Sequence, residues 1–262
     1  MKLTLEVLIF SLLIGVSVGV SAGYLGSLMV LKIMALVGDA FSHVALPGLA
    51  LGLLFNFPVF IGAFAVLFVS AVIIWHLGRV TRLSYESIVG ATFTLALAVG
   101  ILMVVNGQLD LLEALFGDIS NVTLIDAVTA VTVSIVAILL TRMIYKKLVL
   151  GMISEDLAVS KGISVSKTDL LYLLLVSLVV AIGIKIVGSL LVGFLVAVPA
   201  ASAKNVSSNL LRYSLLSSIF GAISASSGVL LSNYLNTQSG PMVVISGITV
   251  FAVTVVLRWR TK

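Results

Sequence analysis

Asp39 and His43 are the side chains whose types and spacing point most directly to chemistry, in the run Val37-Gly38-Asp39-Ala40-Phe41-Ser42-His43-Val44-Ala45-Leu46-Pro47-Gly48. A spacing of i, i+4 puts both on one face of a helix. Pro47 has no N–H to reach back to the carbonyl of residue 43, which leaves that oxygen free. A carboxylate, an imidazole and a backbone oxygen form a mixed oxygen–nitrogen donor set. Such a set suits Zn²⁺, Mn²⁺ or Fe²⁺ better than soft Cu⁺ or hard Ca²⁺. Two other readings fit the same residues. Asp39 could be a helix N-terminal residue with His43 merely hydrogen-bonded, or the pair could relay protons.

A second stretch carries a different kind of signal. In 145–168, Ser154 followed by Glu155 and Asp156 starts a short helix well, and Gly162 would stop it. Leu157 and Ala158 would give that helix a small apolar surface. It reads either as an interfacial connector or as a helix that docks into a cytoplasmic partner. Other chemistries are excluded. There is no cysteine, hence no disulfide, thiolate ligand or cysteine nucleophile. No Gly-Lys pair occurs, so the phosphate-cradling G-x-x-x-x-G-K-[ST] loop is absent and any ATP must be hydrolysed by another chain. With two histidines and ten acidic residues in 262, little remains from which to build an enzyme active site.

The elements that position these residues follow from composition. The chain is 61% hydrophobic and 10% charged, with a mean hydropathy of +1.30, where soluble domains carry about 25% charged residues. No Asp, Glu, Lys or Arg occurs in 7–31, 87–109, 186–203 or 213–257. A spanning helix needs about 20 mostly apolar residues. The chain therefore reads as an all-α, polytopic transmembrane bundle forming a single domain over 1–262. About nine spans fit, near 4–29, 38–55, 57–76, 87–106, 123–144, 169–187, 188–203, 212–233 and 241–259. The segment 188–203 is the shortest and reads as a span or as a broken helix. Lys2 and Ser21-Ala22-Gly23 imitate a signal peptide, but Glu6 offsets the charge and the apolar run continues to Leu31, so a retained first helix is expected.

An ionisable residue inside a span faces the bundle interior or a water-filled path, which adds weight to Asp39 and His43. Lys185 is expected to snorkel at the outer boundary. Asp126 and Glu86 suit helix N-termini. The basic residues fix the orientation, because cytoplasmic loops retain Lys and Arg. With the N-terminus outside and the C-terminus inside, 13 of the 15 basic residues face the cytoplasm. The outer loop 107–123 then carries only Asp110, Glu113 and Asp118. This distribution explains the net charge of +5 without nucleic acid. Small residues recur at Gly15, Gly19, Gly23, Gly48, Gly52, Gly221 and Gly228, which suits packing within one bundle or a dimer seam.

Taken in order, several strings make the chain similar to the metal-transport family of ABC permeases, which import zinc, manganese or iron. They are Gly38-Asp39-Ala40-Phe41-Ser42-His43 with Leu46-Pro47-Gly48, Ala114-Leu115-Phe116-Gly117-Asp118-Ile119, and Asp156-Leu157-Ala158 with Gly162. Val187-Gly188-Ser189-Leu190-Leu191-Val192, Val198-Pro199-Ala200-Ala201-Ser202-Ala203 and Gly240-Pro241 complete the set. The resemblance implies a fold like that of cobalamin and iron-siderophore permeases, with one fewer N-terminal span. It implies a homodimer in a prokaryotic cell membrane, seated on cytoplasmic ABC ATPase subunits and fed by an extracytoplasmic metal-binding capture protein. No permanently bound cofactor is implied; the divalent metal is cargo. Asp39 and His43 correspond to the metal site, and 154–167 to the coupling segment, with Glu155, Asp156, Leu157, Ala158 and Gly162 at the ATPase contact. An importer of metal chelates and a proton-coupled secondary transporter are the competing readings. The latter would show internal repeats, and no convincing repeat is present.

Overall fold

The computed structural model describes residues 4–81, 83–105, 122–189 and 192–260. Among them all regular structure is helical: α1 (Leu5–Leu31), α2 (Ala35–Val44), α3 (Leu46–Leu54), α4 (Val59–Val80), α5 (Tyr85–Val105), α6 (Leu124–Ile153), α7 (Glu155–Ser160), α8 (Val165–Val187), α9 (Val192–Val206), α10 (Leu210–Leu235) and α11 (Ser239–Arg260). Local chemistry sets the ends. Thr123 and Asp126 form a reciprocal capping box: Asp126 N–H donates to Thr123 Oγ1 (3.3 Å), and Thr123 N–H donates to Asp126 Oδ2 (2.9 Å). Asp126 is thereby a structural residue of α6. Asn209 caps α10 by accepting from Arg212 N–H (2.8 Å). Pro47, lacking the N–H that would continue the ladder, separates α2 from α3 at Ala45.

Among the described residues, eight helices are long and apolar enough to cross a membrane, with Val37–Leu54, which joins α2 to α3, counted as one. The spans expected from the sequence match these within a few residues, except that α6 runs on to Ile153. The ninth apolar segment is the short one. With 15 residues, α9 is about 22 Å long, less than the roughly 30 Å of a hydrocarbon core.

α1 lies at the centre and packs against α6, α8, α9 and α10. Its small residues make this possible. A β-carbon on Gly19 would come within 2.7 Å of the Gly221 carbonyl carbon, and one on Gly23 within 2.8 Å of that of Ser217. Serines join the same seam: Ser217 Oγ donates to the Gly23 carbonyl (2.5 Å), and Ser27 Oγ to Ser214 Oγ (3.0 Å). Gly48 and Gly52 meet α4 in the same way, and Gly228 meets α11. The recurrent glycines read from the sequence thus pack helices of one chain.

α8 and α9 meet inside the bundle. Gly183 lies against both Val18, at the middle of α1, and Val192, the first residue of α9. Gly188, with φ of 82°, and Ser189 are buried. From there α9 descends past Gly26 and Gly38, which both touch Val196, toward the C-terminal end of α1. Backbone that reverses at this depth is tolerated because protein, not lipid, surrounds it. Lys185, expected at the outer boundary, belongs to the last turn of α8, and its side chain lies outside what the structure describes.

The end toward which α9 descends is the basic end. Lys32 pairs with Asp169 of α8. The Trp75 indole N–H donates to the Ser166 carbonyl (2.8 Å), and Arg79 stacks on the same indole (5.3 Å). Arg258 donates to Asn205 Oδ1 (3.2 Å). The acidic loop residues Asp110, Glu113 and Asp118, the 114–119 string and Leu190-Leu191 lie outside the described residues.

Candidate metal path and coupling surface

Asp39 and His43 lie one turn apart on α2, as the spacing requires. Asp39 is in the second turn rather than at the N-terminus, so a capping role does not fit. Val37, Ala40, Phe41, Ser42 and Val44 are buried, whereas Asp39 is exposed and His43 half-buried. The pair therefore marks the one face of this part of α2 that its own chain leaves open. That is unusual here, because Val37–Leu54 is the most enclosed of the spans, 72% buried.

Two neighbours hold the pair. On one side α9 comes so close that a β-carbon on Gly193 would sit 2.7 Å from the Asp39 nitrogen, and Val196 fills the space beside Gly38. On the other side Phe93 of α5 meets the His43 ring in a T-shaped contact, centroids 5.2 Å apart at 68°. Ser42 Oγ donates to the Asp39 carbonyl (2.6 Å), a back-bond within the helix. Neither Phe93 nor Gly193 stands out in the sequence, since each lies in a run of similar apolar or small residues. Among the described residues no group of three or more His, Cys, Asp or Glu side chains converges. A cation at Asp39 and His43 would take its remaining donors from backbone, water or another chain.

The second candidate surface is α7. Ser154 Oγ accepts from Leu157 N–H (3.3 Å) at its start. Gly162, at φ of 73°, ends it: Ile163 N–H reaches back to the Ala158 carbonyl (3.0 Å) and Gly162 N–H to that of Val159 (2.9 Å). Glu155, Asp156, Leu157 and Val159 are exposed, with Leu157 at 53% and Val159 at 60%. Ala158 is fully buried and packs α7 onto the bundle, so its methyl is not on the outer face. A shallow depression beside α7 is lined by Glu155, Val159 and Gly162, and by Ile163 through Ser166.

A helical membrane bundle with an ionisable pair on an open face of its most enclosed span, and a short helix projecting at its basic end, has the form of a transport protein. Residues 4–258 match the family described as the ABC 3 transport family, and the chain belongs to it. It is 30% identical to the manganese transport system membrane protein MntC of Listeria monocytogenes, over 92% of this chain and 87% of that protein. It is 33% identical to the high-affinity zinc uptake system membrane protein ZnuB of Buchnera aphidicola, over 94% of this chain and 95% of that one. Its fold matches a chain of PsaBC from Streptococcus pneumoniae, solved in complex with Fab, with a TM-score of 0.81 and 30% identity over 93% of this chain and 89% of that one. The chain is thus a multi-pass permease component of a prokaryotic plasma-membrane ABC importer. It is a transport subunit, and ATP hydrolysis falls to a separate subunit.

Proposed function

We propose that this permease carries a divalent transition metal ion, manganese or zinc with iron as a third option, into the cytoplasm along a path on which Asp39 and His43 are ligands. One observation carries the reading: both side chains occupy the open face of an otherwise enclosed membrane helix. A carboxylate there cannot face lipid without a large cost. It faces water or another protein surface, where it can replace part of a cation's hydration shell.

A second copy of the chain against this face supplies that surface and doubles the donor set, which supports a homodimer. α7, in the segment 154–167, is the contact with the ATPase, and the acidic Glu155 and Asp156 call for basic residues on that partner. An extracytoplasmic capture protein delivers the metal at the opposite end. The whole chain, 1–262, acts as one membrane domain. Its basic end lies in the cytoplasm, by the rule that inner loops keep Lys and Arg.

The test is transport by the reconstituted permease–ATPase complex supplied with capture protein loaded with Mn²⁺, Zn²⁺ or Fe²⁺. Asp39→Ala and His43→Ala should each abolish uptake while the complex still assembles. Normal uptake by both variants at equal protein levels would make the pair structural. Transport of a chelate but of no free metal would move the protein to the competing class of importer.

A further inference from the structure

We infer that Phe93 is a positioning residue for the metal path: its ring sets the rotation of the His43 imidazole and thereby the site's preference among divalent metals. The inference rests on the reading of Asp39 and His43 as ligands. Backbone packing already fixes most of the pair. Gly193 lies against the Asp39 backbone and Val196 against Gly38, so this turn of α2 cannot shift toward α9. His43 is on the same rigid helix, one turn on. What remains free is side-chain rotation. The imidazole is only half-buried, and its packing partner across the open side is Phe93, edge to face at 5.2 Å.

The position of Phe93 is itself determined. Seven residues further along α5, Gly100 packs so closely on the α2–α3 junction that a β-carbon there would lie 3.3 Å from Leu46 and 3.4 Å from Pro47. This close approach seats α5 on the α2–α3 junction and sets the height at which the Phe93 ring meets His43. A ring packed in this way has less freedom to rotate its donor nitrogens. Metals differ in how strictly they demand a fixed angle between donors, with zinc favouring four tetrahedral ligands and manganese a larger oxygen-rich set. Loosening the imidazole should therefore change the two metals unequally. A general packing defect would weaken both alike.

The experiment measures equilibrium binding of Mn²⁺ and of Zn²⁺ to the purified permease–ATPase complex, in parallel with uptake. Phe93→Ala and Phe93→Leu should each weaken binding about two- to tenfold, the range an aromatic pair contributes. The Mn²⁺ to Zn²⁺ ratio should change, and Phe93→Tyr should restore it. If His43→Ala abolishes binding but both Phe93 variants bind like the parent, Phe93 plays no positioning part and the ligands stand. If Phe93→Leu equals the parent and only Phe93→Ala is weak, bulk rather than ring geometry matters and the inference fails. If His43→Ala itself binds normally, the ligand reading falls first, and this inference with it.

Discussion

Gly193 of α9 lies directly against the backbone of Asp39, with the Asp39 nitrogen 2.7 Å from where a β-carbon on Gly193 would stand. The contact joins the carboxylate-bearing helix to the short helix that begins in the middle of the bundle. Neither can move without the other at this point.

Gly193→Ala should therefore impair transport out of proportion to its size. The added methyl meets backbone, which cannot rotate away, and overpacking of this kind costs about 1–3 kcal/mol. The expected result is a complex that assembles with a lowered melting temperature and transports little metal. Uptake normalised to membrane protein, compared with Gly90→Ala, tests this, since a β-carbon on Gly90 meets nothing within 4 Å. Equal uptake by the two variants would show that the α2–α9 contact does not matter to the path.

The ion pair between Lys32 and Asp169 ties the end of α1, just before the turn into α2, to the start of α8. The side chains are 12% and 13% exposed, so each would be costly without the other. Lys32→Ala alone should destabilise the complex by about 3 kcal/mol, and Asp169→Ala similarly, while the double change Lys32→Met with Asp169→Leu should come close to the parent. Thermal melts of the four complexes check the pattern. A double variant as unstable as either single one would mean that the charges themselves are required. Ile33, the next residue, holds a left-handed φ of 59°, which marks this turn as conformationally special.

Most of the spans were legible because charge exclusion acts over a whole membrane thickness, and runs such as 213–257 leave few alternatives. The Asp39/His43 pair was legible for a related reason: ionisable residues in such surroundings stand out. The break between α8 and α9 was legible at 187/188, but whether 188–203 forms a span or a shorter helix was not, because 186–203 is apolar on both sides of the turn and a buried turn in protein has the same hydropathy as a span. Gly188 is the local cue, needed for its positive φ. Lys32–Asp169 and Phe93–His43 join distant parts of the chain, and no local pattern announces either. The outward side of α7 was also hidden. A helix of six residues has too few turns for periodicity to separate Ala158 from Leu157.

The membrane orientation has a direct test. α1, α2–α3, α4, α5, α6, α10 and α11 each run from one end of the bundle to the other, and α8 and α9 leave and return to the same end as a pair, which puts the termini on opposite sides. Cysteine labelling is clean because the chain has no cysteine of its own. Single cysteines at Tyr234 and Val159, exposed at opposite ends of the bundle, should react from outside and from inside the cell respectively. Labelling of both from one side would overturn the crossing count.

The last prediction separates docking from folding at α7. Leu157 and Val159 face outward beside Glu155 and Asp156, whereas Ala158 faces the bundle. Leu157→Asp changes only the outer face: it removes apolar surface and adds a charge where an ATPase groove would have to desolvate it. The isolated permease should keep its melting temperature yet fail to hold the ATPase, or hold it and hydrolyse ATP without transport. Ala158→Arg should behave differently. Its side chain has no space between α7 and the bundle, so α7 is displaced, and the permease itself should melt lower even without its partner. Both variants would lose transport, but only Leu157→Asp would do so with the permease intact. If Leu157→Asp leaves ATPase binding and transport unchanged, the coupling contact lies elsewhere on the basic end, in the 81–84 or 207–209 turns.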